Sequence, residues 1–199
     1  ASSPVQFGQV SRPGDIKYKD LNHDGVIDSN DQAPIGYNPV PEMTFSLAAG
    51  LNWKGFDFSI LLQGAARSSI YLQQDIAWDN FWGNYYEEHI GRWTPETAAT
   101  ATYPRFTKAA TAAHPNYYKS DYWLKDSKYL RLKNIQLGYT IPRKLLKKFG
   151  VRSLRVYANA YNLFTWDNVK KVDPESSNNS NGQFYPQQKV INFGINLNF

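Results

Sequence analysis

Apolar and polar residues alternate without a break along the last stretch of the chain. Ile191, Phe193, Ile195, Leu197 and Phe199 are apolar, while Asn192, Gly194, Asn196 and Asn198 between them are small or polar. A period of two places successive side chains on opposite faces of a β-strand, so residues 189–199 are predicted to be extended, with one face toward an apolar medium. The pattern recurs at 43–53, where Phe45, Leu47, Ala49, Leu51 and Trp53 alternate with Thr44, Ser46, Ala48, Gly50 and Asn52. Lys54-Gly55 suits a two-residue hairpin turn, and 56–64 returns with Phe56, Phe58, Ile60 and Leu62 on one face. Residues 130–140 predict a further strand with Ile135, Leu137 and Tyr139 outward, its upper residues Arg131 and Lys133 projecting past the apolar zone. Residues 154–164 predict another, with an open register. Leu154, Val156, Ala158 and Ala160 suit the apolar side, but Tyr157 and Tyr161 tolerate it too.

The connections differ sharply in length. Lys54-Gly55 and 141–153 are short, whereas 65–129 and 165–188 are long, polar and rich in Asn, Thr and aromatics. In an antiparallel order every short connection falls at one end and every long one at the other, the asymmetry of a bacterial outer-membrane barrel. The strands also have the length of tilted membrane-crossing strands, roughly 9–11 residues. Trp53, Phe56, Tyr139 and Phe199 gather at the short-turn end as an aromatic girdle. The expected fold is therefore all-β, an antiparallel transmembrane β-barrel with long extracellular loops. Residues 1–42 are expected to be an extracellular loop region, and 43–199 the barrel strands with outer loops 65–129 and 165–188. Five strands cannot close, since small membrane barrels need about eight, and an open sheet leaves edge groups unpaired in hydrocarbon. The chain is expected to pair with strands outside it.

Composition narrows the class. There is no cysteine in 199 residues, which removes disulfides and thiolate metal sites. Mean hydropathy is -0.56, and no apolar run is long enough for a transmembrane helix. Alternating barrel strands are compatible with that average. Aromatics make up 16% of residues, with 14 Tyr, side chains suited to membrane interfaces and to stacking on ligands. The net charge of +5 is scattered, so nucleic acid is not an expected partner. No signal peptide is legible at Ala1; it is expected to have been removed, or the chain to be one piece of a longer protein.

The segment Tyr129-Leu-Arg-Leu-Lys-Asn-Ile-Gln-Leu-Gly-Tyr-Thr-Ile-Pro142 resembles the C-terminal barrel of SusC/RagA-type TonB-linked receptors. So do the Lys/Leu-rich turn that follows, Leu154-Arg-Val-Tyr-Ala-Asn-Ala-Tyr-Asn-Leu-Phe164, Asp173-Pro-Glu175 and the alternating strand to Phe199. Pro13-Gly-Asp-Ile-Lys-Tyr-Lys-Asp20 and Arg92-Trp-Thr-Pro-Glu96 also look like that family. The resemblance implies a plugged barrel of about 22 strands, with this chain supplying the closing ones. It further implies a bacterial cell outer-membrane location, a SusD-like surface lipoprotein as a lid, and TonB acting through a missing N-terminal part that carries the plug. The implied activity is energised import of oligosaccharides or peptides, and this piece alone should not transport.

One motif carries metal chemistry. Asp20, Asn22, Asp24, Val26, Asp28 and Asp31 occupy the ligand positions of a calcium loop, with Gly25 at its sharp turn and Ile27 free to pack inward. Oxygen side chains at alternating positions converge on a hard cation, the Val26 carbonyl adds a ligand, and Asp31 replaces the usual longer Glu. The expected role is structural, stiffening an outer loop. The plainer reading is a turn-rich loop, since Asp, Asn and Gly form turns without metal. Among the aromatics of the long loop, Trp78, Trp82, Tyr85, Tyr86 and Trp93 are candidates for ligand or lid contact, though self-packing of the loop explains most of them. Pro142 to Gly150 reads as a short helix with Leu145, Leu146 and Phe149 on one face. Arg143, Lys144, Lys147 and Lys148 either touch anionic inner-leaflet phospholipid or simply solvate a turn. His23, His89 and His114 are isolated, and Glu87-Glu88-His89 is better explained as a solvated loop than as a metal cluster. No phosphate loop, nucleophile elbow or HExxH is present, so no enzyme is expected.

Two alternatives remain open at this level. One is a secreted calcium-stabilised β-sandwich that binds or adheres, which would be soluble and fold alone. The other is a passive porin. Cargo is not legible, because aromatic richness suits glycans and peptides alike.

Overall fold

The computed structural model describes residues 5–79, 83–108, 113–170, 172–176 and 185–199. Its strands are Met43–Trp53 (β1), Phe56–Ala66 (β2), Ser69–Tyr71 (β3), Leu124–Asp126 (β4), Tyr129–Thr140 (β5), Ser153–Asp167 (β6) and Val190–Asn198 (β7). Five of them form an antiparallel sheet in the order β1-β2-β5-β6-β7, and β3 and β4 form a separate pair. The larger sheet is open, with β1 and β7 as its edges. The β1–β2 turn has Lys54 at φ 47 and Gly55 at φ 90. Two positive φ values in a two-residue loop match the right-handed twist of the strands it joins. A Cβ on Gly55 would lie 2.9 Å from the Thr140 carbonyl, so that position stays bare. The expected helix after β5 is a single α-turn, Arg143–Leu146 (α1), continued by a 3-10 turn over Lys147–Phe149 and stopped at Gly150 with φ 68.

Register decides which side chains share a face, because directly opposed residues point the same way. Trp53 opposes Phe56, Leu51 opposes Phe58, Ala49 opposes Ile60 and Leu47 opposes Leu62. Across β2 and β5, Phe58, Ile60 and Leu62 meet Leu137, Ile135 and Leu132. Across β5, β6 and β7 the row continues through Ala158 to Phe193 and through Ala160 to Ile191. One face is thus apolar across all five strands; it is most exposed on the outer strands, where Leu51 is 64% exposed and Phe193 82%, and more covered at its middle, where Leu132 and Ala160 are buried. The other face carries Ser46, Asn52, Asp57, Gln63, Gln136, Arg155, Tyr157, Asn159 and Asn192. The register across β5 settles the open phase of β6. Leu154, Val156, Ala158 and Ala160 take the apolar side, and Tyr157 and Tyr161 the polar one.

The upper half of β5 departs from the phase expected from its sequence. Leu61 and Leu62 are consecutive, but they oppose Asn134 and Leu132, so Lys133 is a bulge residue. On the other side Asn162, with φ 51, and Leu163 fall opposite that same residue. The extra residue moves the alternation by one. Leu130 and Leu132 join the apolar face, and Arg131 turns to the polar face, where it is 2% exposed and does not project past the apolar zone. Beyond the bulge Phe164 and Trp166 rejoin the ladder opposite Leu132 and Leu130, which extends β6 to Asp167.

By packing, the described residues form two compact units, one from the segments 5–36 and 71–125 and the other from 37–70, 126–176 and 185–199. The division expected at residue 42 differs, because the segment after β3 folds with the beginning of the chain. Asn116 is fully buried; its Oδ1 accepts from Ile16 N at 2.9 Å and its Nδ2 donates to Asp15 at 3.1 Å. Asp15 also pairs with Arg105 at 2.6 Å. Phe7 N donates to Ile27 O at 2.7 Å, and Ile27 is buried, so the apolar residue of the calcium-type loop does pack inward.

Three glycines make the sheet's close approaches possible. Phe45 lies over Gly64, Tyr157 over Gly194, and the Asp57–Arg155 pair over Gly138. A Cβ on Gly138 would sit 2.5 Å from both the Arg155 guanidinium and the Asp57 carboxylate. Gly138→Val should therefore separate Asp57 from Arg155 and destabilise the sheet by about 1–3 kcal/mol, as overpacking does. A lower urea midpoint for the variant receptor in detergent checks this, and an unchanged midpoint refutes it.

Candidate functional site

The buried centre of the unit containing residues 71–125 is aromatic and organised by one carboxylate. Asp79 is 1% exposed; it accepts from Thr107 N at 3.1 Å, from Tyr103 Oη at 3.3 Å and from Tyr117 Oη. Burial, with Asp79 beside them, pushes the Tyr103 and Tyr117 hydroxyls far above the usual phenol range, so both stay protonated donors. Trp78 packs against Tyr117 with tilted rings at 4.8 Å, and Trp123 packs edge-on to Tyr103. His89 completes the centre. Its Nδ1 accepts from Tyr86 N at 3.0 Å, which leaves the proton on Nε2, facing the Ala77 carbonyl at 3.2 Å. Burial lowers its pKa, so the ring is held neutral.

These contacts sort the candidate aromatics. Trp78 is buried in the core, and Trp93 covers Gly14. Tyr85 and Tyr86 are exposed beside the exposed Ile90, a surface residue the sequence reading did not single out. Trp82 lies outside the described residues. Glu87, Glu88 and His89 open a 3-10 turn, and His89, expected in a solvated loop, is instead buried.

The calcium-type loop is closed by its own carboxylates. Asp20 accepts from His23 N and from Gly25 N, the latter at 2.9 Å where the chain turns at φ 82. Asp31 joins the two ends, accepting from Leu21 N at 2.7 Å and Asp28 N at 2.9 Å, and these N–H groups hold its pKa low. Asn22 donates to Asp24 at 2.9 Å, Asp24 accepts from Val26 N, and Asp28 from Asn30 N. Among the described residues no three His, Cys, Asp or Glu side chains stand at metal-holding spacing.

A second charged centre was not legible as such. Arg131 donates to Thr165 at 3.0 Å and to Asp173 at 2.7 Å, and lies 3.3 Å from Glu175, which also meets Lys133 at 3.3 Å. Burial alone would raise the Asp173 pKa, but the Glu175 N–H, Arg131 and the Gln187 N–H together lower it. Asp173-Pro-Glu175 thereby fixes its loop to the polar face of β5. Phe164 and Trp166 stack at 6.2 Å on the apolar face and with Phe45 form a second aromatic row, at the long-loop end. At the short-turn end Phe56 and Tyr139 pack at 4.5 Å beside Trp53.

No protein-family model matches the chain. A TonB-dependent receptor of Formosa agariphila is 30% identical over 203 residues, covering 94% of this chain and 20% of that protein. The TonB-dependent receptor SusC of Bacteroides thetaiotaomicron is 26% identical over 195 residues, covering 97% of this chain and 18% of SusC. Among solved structures, the RagAB peptide importer in its open-open state matches with a TM-score of 0.66 and 23% identity, over 86% of this chain and 19% of that one. The chain is a segment of a SusC/RagA-type TonB-dependent receptor. It spans about a fifth of the length of the curated relatives it matches. Receptors of this type are bacterial outer-membrane proteins, and they are transporters, not enzymes. The antiparallel sheet of the receptor segment is that of a barrel fragment, not closed within this chain.

The neutral His89 gives the receptor segment a pH dependence. Its folded pKa is depressed, so its stabilising contribution is present above the unfolded value near 6.5 and is lost as pH falls below it. Amide hydrogen exchange over residues 85–106 should accelerate between pH 7 and pH 5 after correction for intrinsic rates. In His89→Gln that pH-dependent acceleration should disappear; its persistence would assign the effect to other groups.

Proposed function

We propose that this chain forms part of the barrel wall of an energised outer-membrane importer for oligosaccharides or peptides, working with a SusD-like surface lipoprotein and with TonB. The single observation that carries the reading is the apolar face, continuous from β1 to β7 and exposed on β1 and β7, backed by a polar face with its own ion pairs. Such a sheet suits lipid outside and an aqueous or plugged lumen inside. The likeness to SusC and to the RagAB importer supports the same reading. The remainder of the receptor supplies the strands that pair with β1 and β7. The secreted β-sandwich is disfavoured, since it requires a second layer over the face on which Leu51, Phe193 and Ile195 are exposed. On the loop side, exposed Tyr85 and Tyr86 are the residues we place against ligand or lid.

Paired substitutions on neighbouring residues of β7 test the lipid face. Ile191→Arg should lower the amount of receptor assembled in the outer membrane, because Arg at mid-bilayer costs roughly 2–4 kcal/mol. Asn192→Arg, one residue along and on the polar face, should be tolerated. Equal tolerance of both would sink the barrel reading. Growth of cells lacking the receptor on an oligosaccharide or on peptides as sole nutrient, against the parent strain, identifies the cargo.

The Asp20–Asp31 loop is proposed as a structural calcium site. The fit is supported by Gly25 N–H held on Asp20 and by Asp31 bridging the N–H groups of Leu21 and Asp28, which close the loop between its first and last ligand positions. Each carboxylate oxygen bonded to an N–H keeps a lone pair for a cation. Asp20, Asn22, Asp24, Asp28, Asp31 and the Val26 carbonyl would hold the ion, with Asp24 turning away from Asn22. Calcium should bind the whole receptor with a dissociation constant on the order of 0.1–1 mM, as in extracellular modules, and slow exchange over residues 18–33. Asp20→Asn should abolish that protection, and unchanged exchange in the wild type on adding calcium would exclude the site.

A further inference from the structure

Apart from the Asp57–Arg155 pair, the end of the sheet carrying the short connections presents cations. Lys54 lies in the β1–β2 turn, and Arg143, Lys144, Lys147, Lys148 and Arg152 lie in the β5–β6 connection. No Asp or Glu occurs from Tyr139 to Trp166. Among the described residues none of these six cations forms an ion pair. The nearby Arg155 and Asp57 satisfy each other. Thr140 N donates to Gly55 O at 2.8 Å and Ile141 N to Leu154 O at 2.9 Å, which sets both connections at the level where the Trp53, Phe56 and Tyr139 row ends. Within the turn Leu146 is buried, while Leu145 is 66% exposed and Phe149 76%. Leu146 thus fixes the turn to the sheet, and two large apolar side chains stand out among the cations.

A turn serving only as a solvated link has no physical reason to present Leu and Phe beside unpaired Lys and Arg. At a lipid headgroup layer the combination is favourable, with apolar side chains in the acyl boundary and cations on phosphate oxygens. We infer that the β5–β6 turn is a docking surface for anionic phospholipid headgroups at the inner face of the membrane. The inference rests on the membrane reading above and goes beyond it by assigning a lipid class to named residues. The phosphate charge is the recognised feature, and Lys54, stacked on Trp53 at 4.9 Å, extends the surface to the neighbouring turn.

The test uses the intact receptor reconstituted in nanodiscs of equal phosphatidylglycerol and phosphatidylcholine, released into the mass spectrometer with its retained lipids. The wild type should retain phosphatidylglycerol in preference to phosphatidylcholine. R143Q/K144Q/K147Q/K148Q, all exposed positions, should lose that preference by about tenfold or more. The control K17Q/K19Q removes exposed cations from another part of the chain and should leave it intact. A variant that keeps the wild-type preference overturns the inference, as does a control that loses it equally. Retention of an acidic protein through these cations, without lipid preference, would assign the surface to that protein and overturn it too. A receptor that embeds but binds both lipids alike leaves the barrel reading standing and removes only this one. A receptor that fails to enter the bilayer removes both.

Discussion

A strand crossing hydrocarbon has no water to satisfy its peptide groups, so each N–H and C=O must find a partner on a neighbouring strand. On the proposed membrane reading, the pairing of the larger sheet meets that requirement while one face stays apolar. β2, β5 and β6 are paired on both sides, whereas β1 and β7 each present one unpaired side. Register is then unforgiving, because a slip of one residue would exchange the two faces of a whole strand. The Lys54-Gly55 turn pins β1 to β2. The short β5–β6 connection, with Leu146 buried, pins the next pair.

The bulge at Lys133 shows how the constraint is met where the sequence breaks its own alternation. Without it, Arg131 would share a face with Ile135 and Leu137, and a guanidinium would point into the apolar medium. One extra residue turns Arg131 to the polar side, where Thr165, Asp173 and Glu175 receive it, and brings Leu130 and Leu132 into the vacated row. Charged groups on the polar face are in turn kept in pairs. Asp57 and Arg155 reach each other across β5 only because Gly138 offers no side chain between them. The same device lets Phe45 cover Gly64 and Tyr157 cover Gly194, so the small residues of these strands mark where a neighbour lies flat.

Much of this was legible from the residues. The strict alternation at 43–53 and at the end of the chain gave strand type, length and apolar face together. The bulge was not legible, because an extra residue leaves no local mark when the residues around it are Leu, Lys and Asn. Only the ladder with β2 and β6 discloses it. The role of Arg131 and the second aromatic row of Phe45, Phe164 and Trp166 were missed for the same reason, and the open phase of β6 needed β5 to settle it. In the loops, the Asp20–Asp31 spacing and the inward Ile27 were readable. The choice between core and surface aromatics was not: Trp78 and Tyr85 lie seven positions apart in similar sequence, yet only burial against Asp79, Tyr103 and Tyr117 separates them.

The two ends of the sheet treat charge differently, and stability alone does not explain it. At the long-loop end Arg67 pairs with Glu42, Lys128 with Asp126, Arg131 with Asp173 and Lys133 with Glu175. At the short-turn end the carboxylate of Asp57 is taken up by Arg155, and among the described residues the turn cations form no ion pair. Exposed ion pairs contribute little to folding, so folding would tolerate either arrangement at both ends. The contrast therefore points outward, to surroundings that differ between the ends. Where a loop must hold its shape, cations are given partners from the chain. Beside exposed Leu145 and Phe149 the turn cations are left to surroundings outside the chain, which is the contrast the proposed headgroup contact accounts for.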